Sequence, residues 1–246
     1  MTDGINILMY HQVGDFAPMK GHRSTYCHYK RFAAQMRWLA RGGYRVLGMD
    51  EVAACVRGER SVPPRAVALT FDDGYENFYQ YAYPELARHG FSAIVYLISD
   101  LIGKPASWFA ADGRPTPPLM NAERIRELHR AGIDFGSHGA THVKLADQDQ
   151  ARLVDEVTRS KARLEELLGE PIRHLCYPYG SYDIRTLEAT ASAGYETATT
   201  CVRALTRPGD DLLALPRKAI SYGDNLVGYW WKLAFKNRAK IVVVRR

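Results

Sequence analysis

Two pairs of residues in this chain have the types and spacing of a hydrolytic metal centre. In ALTFDDGYEN, residues 68 to 77, Asp72 and Asp73 stand together after an apolar run and before a glycine. Neighbouring residues on a strand point to opposite faces. Both carboxylates therefore serve one pocket only if the strand ends there and the chain turns, which Gly74 permits. Two adjacent carboxylates repel, pushing one toward its protonated form. A divalent cation removes that cost for the one that binds it and leaves the other free to take a proton. In SHGATH, His138 and His142 are four residues apart, and on a helical turn such residues share a face. Two imidazoles and one carboxylate hold a metal while leaving positions open for water and substrate, as a catalytic zinc site requires. Each pair also has a plainer reading. Asp-Asp-Gly forms turns and caps helices, and a lone His-x-x-x-His is weak evidence for a metal.

These residues need elements to position them, and the chain supplies an alternation. INILMY, AVALTF, SAIVYLIS, IDFGS and HLCYP read as buried strands. Between them lie helix-like stretches over residues 29–43, 75–90, 121–132, 148–169 and 183–194, several ending in glycine. Strand-then-helix order predicts a mainly parallel α/β sheet or barrel with helices outside. In such folds chemistry gathers where strand C-termini meet the following loops. That places Asp72, Asp73, His138 and Tyr179 on one rim, and His11, which follows the first strand in ILMYHQV, on the same rim. The Pro- and Gly-rich stretch 103–119 reads as a rim loop, with Trp108 and Phe109 either stacking on a ring of a bound molecule or packing in the core. Residues 225–244 carry helical periodicity, with Tyr229, Trp230, Leu233 and Phe235 near one side. A docking helix that closes the barrel is the first reading, and a partner or membrane-surface contact the second.

Bulk composition narrows the classes. The 246 residues are 46% hydrophobic, enough for the core of a single α/β domain. Formal charge is +6, with much of the excess in the terminal NRAKIVVVRR. No basic stripe with interleaved aromatics accompanies it, so nucleic acid is not an expected partner. The four cysteines, Cys27, Cys55, Cys176 and Cys201, are far apart and form no CxxC pair, so they read as reduced and mostly buried thiols. The N-terminus lacks a basic n-region and a long apolar h-region, and no apolar run reaches membrane-span length. The expectation is a single domain over residues 1–246, kept in the cytoplasm or peripheral to the inner membrane.

TFDDG, then SHGATH, then YPYG, in that order across one α/β domain, resemble the NodB-type polysaccharide deacetylases of carbohydrate esterase family four. The resemblance runs from about residue 5 to about residue 220. It implies a distorted (β/α) barrel of seven strands and hydrolysis of the N-acetyl group of an amino sugar in an N-acetylated glycan. It also implies a divalent metal, usually zinc, with cobalt, nickel or iron(II) as alternatives. Carried over residue by residue, Asp72 resembles the general base, while Asp73, His138 and His142 resemble the metal ligands. The backbone amide of Tyr179 in YPYG resembles the donor that holds the oxyanion.

The chain departs from the family pattern twice. Many members have an arginine two residues before the proline of YPYG, where this chain has Cys176. Many have a Leu-x-His near the C-terminus that protonates the departing amine, where this chain reads LLALPRKAI. His11 resembles the acid of a branch whose histidine precedes TFDDG, the poly-N-acetylglucosamine deacetylases of bacterial exopolysaccharide systems. Arg217 of LPRK is the candidate to replace the missing arginine beside Asp72, against an ordinary strand-end salt bridge. Two rival functions stay open: a deacylase of a lipid-linked amino or formamido sugar, and a non-catalytic glycan-binding module on the same barrel. The product of deacetylation is cationic, so the basic surface does not favour the assignment. The sequence leaves oligomeric state open.

Overall fold

A computed structural model describes residues 4–19 and 21–239. In chain order the elements are β1 (Asn6–Tyr10), β2 (Gln12–Gly14), β3 (Tyr26–His28), α1 (Tyr29–Arg41), β4 (Arg45–Val46) and α2 (Met49–Val56). Then come β5 (Ala66–Phe71), α3 (Tyr83–His89), β6 (Ile94–Leu97), α4 (Ala122–Arg130), β7 (Asp134–Ser137) and α5 (Gln150–Leu168). The chain finishes with β8 (His174–Cys176), α6 (Ile184–Ser192), β9 (Thr197–Thr199), β10 (Lys218–Ala219) and α7 (Leu226–Phe235).

Seven strands form one parallel path, β10-β1-β5-β6-β7-β8-β9, with β4 added on β5. The stretch around β10 nearly closes the circle. Leu215 bridges Thr199 at the end of β9, and Lys218 pairs with Leu8 of β1. The fold is thus a distorted (β/α)7 barrel. Strands β1 and β5 are buried along their whole length, as an apolar run covered on both faces must be. Helices pack outside with one apolar stripe each. On α5 that stripe is Leu153, Val157 and Leu164, with Glu156 and Ser160 set into it. Fully burying each such Leu or Val contributes about 1.5–3 kcal/mol.

Local signals set the ends of these helices. Asn121, Asp149, Asp183 and Asn225 cap α4, α5, α6 and α7 by accepting a backbone N–H two or three residues on. Gly90 and Gly169 stop α3 and α5 in the left-handed conformation that glycine alone adopts freely.

Three expectations need correction. The helix expected over 75–90 is broken. A π-helical turn, Phe78–Ala82, precedes α3, because Pro84 lacks the N–H that would continue a regular ladder. The loop 103–119 contains a short 3-10 helix, Ser107–Asp112. On α7, Tyr229 and Leu233 are buried as a docking face, but Trp230 and Phe235 are exposed. The basic stretch 240–246 lies outside the described residues. No helix among the described residues is long and apolar enough to cross a membrane.

Candidate active site

Asp72 continues β5 by donating its N–H to the carbonyl of Tyr10 at 2.9 Å. The turn begins one residue earlier than a glycine would require. Asp73 has φ 75° and Gly74 has φ 75°. A side-chain residue in that region is uncommon and marks a constrained position. This reversal lets consecutive carboxylates enter one pocket instead of opposite faces of the strand. Gly74 suits this position because its φ of 75° would strain a residue with a side chain, and a Cβ there would push on Leu97 Cδ2 at 2.7 Å.

His138 follows β7, its N–H held by the carbonyl of Leu97 at 2.7 Å. No helical turn joins it to His142, contrary to the expectation from spacing. Gly139 at φ 74° and His142 at φ 63° instead curl a loop that brings both rings inward. The loop is shaped by Glu156 of α5, which is fully buried. Its Oε2 accepts the N–H groups of Ala140 and Thr141, each at 2.9 Å. Its Oε1 accepts the Thr141 hydroxyl and forms an ion pair with Arg152 at 2.9 Å. Sequence reading missed Glu156, although a carboxylate inside the apolar stripe of a helix is a visible signal.

Asp73, His138 and His142 converge. Nε2 of His138 lies 3.3 Å and Nε2 of His142 3.2 Å from Asp73 Oδ1. That oxygen is buried and makes no aligned hydrogen bond. His138 Nδ1 is 2.7 Å from the carbonyl oxygen of Cys176, which can only accept, so Nδ1 carries a proton and Nε2 is the nitrogen turned toward Asp73. His142 Nδ1 lies 3.2 Å from the Tyr179 hydroxyl. A carboxylate oxygen and two imidazole nitrogens with their far sides engaged, all within 4.8 Å of one another, fit a divalent cation. Burial lowers His138, but Cys176, Asp73 and Asp72 outweigh it and hold the ring well above the ordinary histidine value. At His142 burial prevails and the ring is lowered. Burial raises Asp73, yet the imidazoles draw it well below the carboxylate range. The cluster calls for positive charge.

Asp72 sits beside this group in a different setting. Arg217, on the segment leading into β10 and only 1% exposed, donates to both its oxygens, at 2.7 and 2.8 Å. The same guanidinium donates to the Thr200 carbonyl, the Thr70 hydroxyl and Cys176 Sγ. Burial raises Asp72, but the charge and hydrogen bonds of Arg217 outweigh it and keep the carboxyl below its ordinary value. Asp72, His138 and Cys176 also lie close enough to share an ion. Because Arg217 already takes both Asp72 oxygens, the Asp73 set is the better cation site. Cys176, smaller than arginine, leaves the space that Arg217 fills from the other side of the barrel.

His11 Nε2 is 3.9 Å from Asp72 Oδ2, at the end of β1. Tyr179 has φ 58° in a tight turn over Pro178–Gly180, and its half-exposed ring stacks beside His142. Gly180 is required here, since a Cβ would meet Cys201 at 2.7 Å. Six of the seven residues singled out from the sequence therefore follow strand C-termini, while Arg217 precedes β10. Six line one cavity of about 240 Å³, and Arg217 lies behind Asp72. Trp108 and Phe109 both form part of its wall, Trp108 4.3 Å from the His142 ring and Phe109 buried and stacked on Tyr75. His22 and Arg114 line the cavity as well and were missed, because both sit on irregular loops. His28 caps α1 instead. The four cysteines are free thiols, three of them buried.

Residues 59–198, more than half the chain, match the family model described as polysaccharide deacetylase. The chain belongs to the polysaccharide deacetylase family. A polysaccharide deacetylase by name, YxkH of Bacillus subtilis (strain 168), is 27% identical over 217 residues, covering 88% of this chain and 71% of that one. The poly-beta-1,6-N-acetyl-D-glucosamine N-deacetylase of Staphylococcus epidermidis is 24% identical over 203 residues, 78% of this chain and 67% of that one. Among solved structures, the Streptococcus pyogenes deacetylase PplD superposes with TM-score 0.81 at 23% identity, covering 94% of this chain and 98% of its own. IcaB from Ammonifex degensii gives 0.79 at 23% identity, covering 95% and 98%. These two likenesses establish the barrel. His11 and Arg217 fall outside the span matched by the family model.

Proposed function

We propose that this member of the polysaccharide deacetylase family hydrolyses the N-acetyl group of N-acetylhexosamine residues in a bacterial-type polysaccharide. It does so with a divalent cation, zinc fitting the donor set best, at Asp73, His138 and His142. The observation that carries this is the pairing in one cavity of an electron-rich triad with a separate, arginine-held carboxylate and a histidine. The named activity of the staphylococcal relative makes a poly-N-acetylglucosamine the substrate to test first.

A cation bound there supplies Lewis-acid polarisation of the amide carbonyl and acidifies the attacking water. The chain's own residues do the rest. Asp72, kept ionised by Arg217, takes the proton of the attacking water. Arg217 fixes the plane of that carboxylate through two parallel hydrogen bonds. The Tyr179 backbone N–H is assigned to the developing oxyanion, a contact whose loss typically costs about 10²–10³ in rate. Nε2 of His11 delivers a proton to the departing sugar amine as the C–N bond breaks. Acetate and a free amine are the products. Tyr179 and Trp108 flank His142 and shield the cavity from bulk water.

The non-catalytic reading drew on two missing residues. A guanidinium beside Asp72 and an imidazole in the cavity, each arriving from another strand, weaken it. Acetate release from β-1,6-linked N-acetylglucosamine oligomers, with Asp72→Asn as control, tests the proposal. A metal-loaded protein that releases no acetate from any N-acetylated oligosaccharide rejects it.

A further inference from the structure

At the far end of the barrel from the catalytic cavity, a second cavity of about 590 Å³ opens between α1, the turn after it and the start of α7. Arg37, Arg41 and Arg65 line it together with Trp38, Tyr44 and Trp230. Among the described residues no carboxylate lies within ion-pair distance of those three arginines. Arg65 has φ 56°, a conformation a long side chain rarely adopts, and its guanidinium donates to the Gly42 carbonyl. All three are exposed, so the cavity offers its positive charge to the solvent side.

Beside this cavity α7 turns an unusual face to solvent. Val227, Trp230, Trp231 and Phe235 are 71%, 44%, 48% and 55% exposed. The rings pack on one another, Trp231 and Phe235 at 4.4 Å and Trp230 and Phe235 at 5.4 Å, rather than on the barrel. Contiguous exposed aromatic and aliphatic side chains mark interaction surfaces. Tryptophan, apolar with one N–H donor, suits the boundary between lipid and water. Lys236 and exposed Arg238 extend the positive charge just beyond the helix.

We propose that this face docks on an anionic phospholipid surface. Arg37, Arg41 and Arg65 take headgroup phosphates, and Trp230, Trp231 and Phe235 enter the interface. The charge argues for lipid over a second copy, since two-fold pairing of this face would set arginines against arginines. Exposed Val227 and Leu226 have no role on a polynucleotide. Arg65 immediately precedes β5 and Asp72 immediately follows it, so docking face and catalytic cavity stand roughly 20 Å apart along that strand. A docked molecule keeps its cavity away from the headgroups, within reach of a polymer in the water. The inference stands apart from the deacetylase reading.

The test is co-sedimentation of the full chain with phosphatidylcholine vesicles and with vesicles that also contain phosphatidylglycerol. Binding only to the second, weakening with salt and accompanied by a blue shift of tryptophan fluorescence, is expected. The double variant Arg37→Glu/Arg41→Glu should lower the partition coefficient by about tenfold or more. Trp231→Ser/Phe235→Ser should lower it too and abolish the blue shift. Both variants alter exposed positions and should keep native melting behaviour and acetate release from soluble oligomers. Equal sedimentation with both vesicle types, or undiminished binding in both variants, overturns the proposal. So does a dimer in light scattering that Trp231→Ser/Phe235→Ser dissolves while lipid binding is absent.

Discussion

Replacing Arg217 with methionine removes the counterion of a buried carboxylate while preserving an apolar side chain of moderate length. Asp72 is 3% exposed and loses both of its short charge-assisted hydrogen bonds. Breaking a buried pair by deleting one partner typically costs about 3–5 kcal/mol, a large share of an ordinary domain's stability of about 5–15 kcal/mol. Asp72 can relieve that cost by taking a proton. The sign follows from the base's role. In the native protein Asp72 is held below the ordinary carboxylate value, so it is ionised at every pH where the enzyme would be assayed. Its pairing adds stability above that ordinary value, and the contribution is lost as pH falls through the depressed one. In Arg217→Met the strongest influence opposing burial is gone, leaving only His11 and His138, and the acid limb of kcat/KM moves up. Arg217→Lys keeps charge but loses the two-pronged geometry, and should fall between. The assay is acetate release from N-acetylglucosamine oligomers across acid to alkaline pH, with melting followed in parallel. A folded Arg217→Met enzyme with native kcat/KM and an unmoved acid limb would refute a role for Arg217 in holding the base.

Asp73→Asn should abolish tight cation binding, taking a stoichiometry near one ion per chain to near zero, and chelation of the native protein should lower both activity and Tm, reversibly on adding zinc. His11→Ala should cut kcat by about 10²–10⁴ with cation content unchanged; full activity would leave the acid elsewhere. Glu156→Gln, which cannot present one carboxylate oxygen to two backbone N–H groups and another to Thr141, should weaken cation affinity by about 10–100-fold in a competition titration. Unchanged affinity would mean the loop holds its shape without Glu156.

The expected strand AVALTF matches β5, Ala66–Phe71, residue for residue, because an apolar run bounded by Arg65 and Asp72 has unambiguous ends. INILMY and SAIVYLIS were slightly long at their ends, where pairing stops before hydrophobicity does. Strands β4, β9 and β10, two or three residues each, carry too little pattern to be seen and exist because neighbours complete their hydrogen bonds. Helix α2 was missed for a similar reason: MDEVAACV is two turns long and is stopped in place by its packing.

By itself the chain's order of residues determined which chemistry was on offer, since an Asp pair, a His pair and a tight Tyr-Pro-Tyr-Gly turn are local features with local causes. It also determined the alternation of elements, because hydrophobic period is a property of neighbouring residues. The family resemblance already named Asp73 rather than Asp72 as the partner of the histidines, but the physical means, a reversal at φ 75° that no spacing rule contains, is visible only in the tertiary structure. The pairing of Arg217 with Asp72 across 145 positions was a candidate from the sequence, and the structure shows the contact. Contacts between residues so far apart depend on barrel closure, where Lys218 meets Leu8 and Leu215 meets Thr199. Closure is a sum over many weak pairings, and no single stretch of the chain carries it.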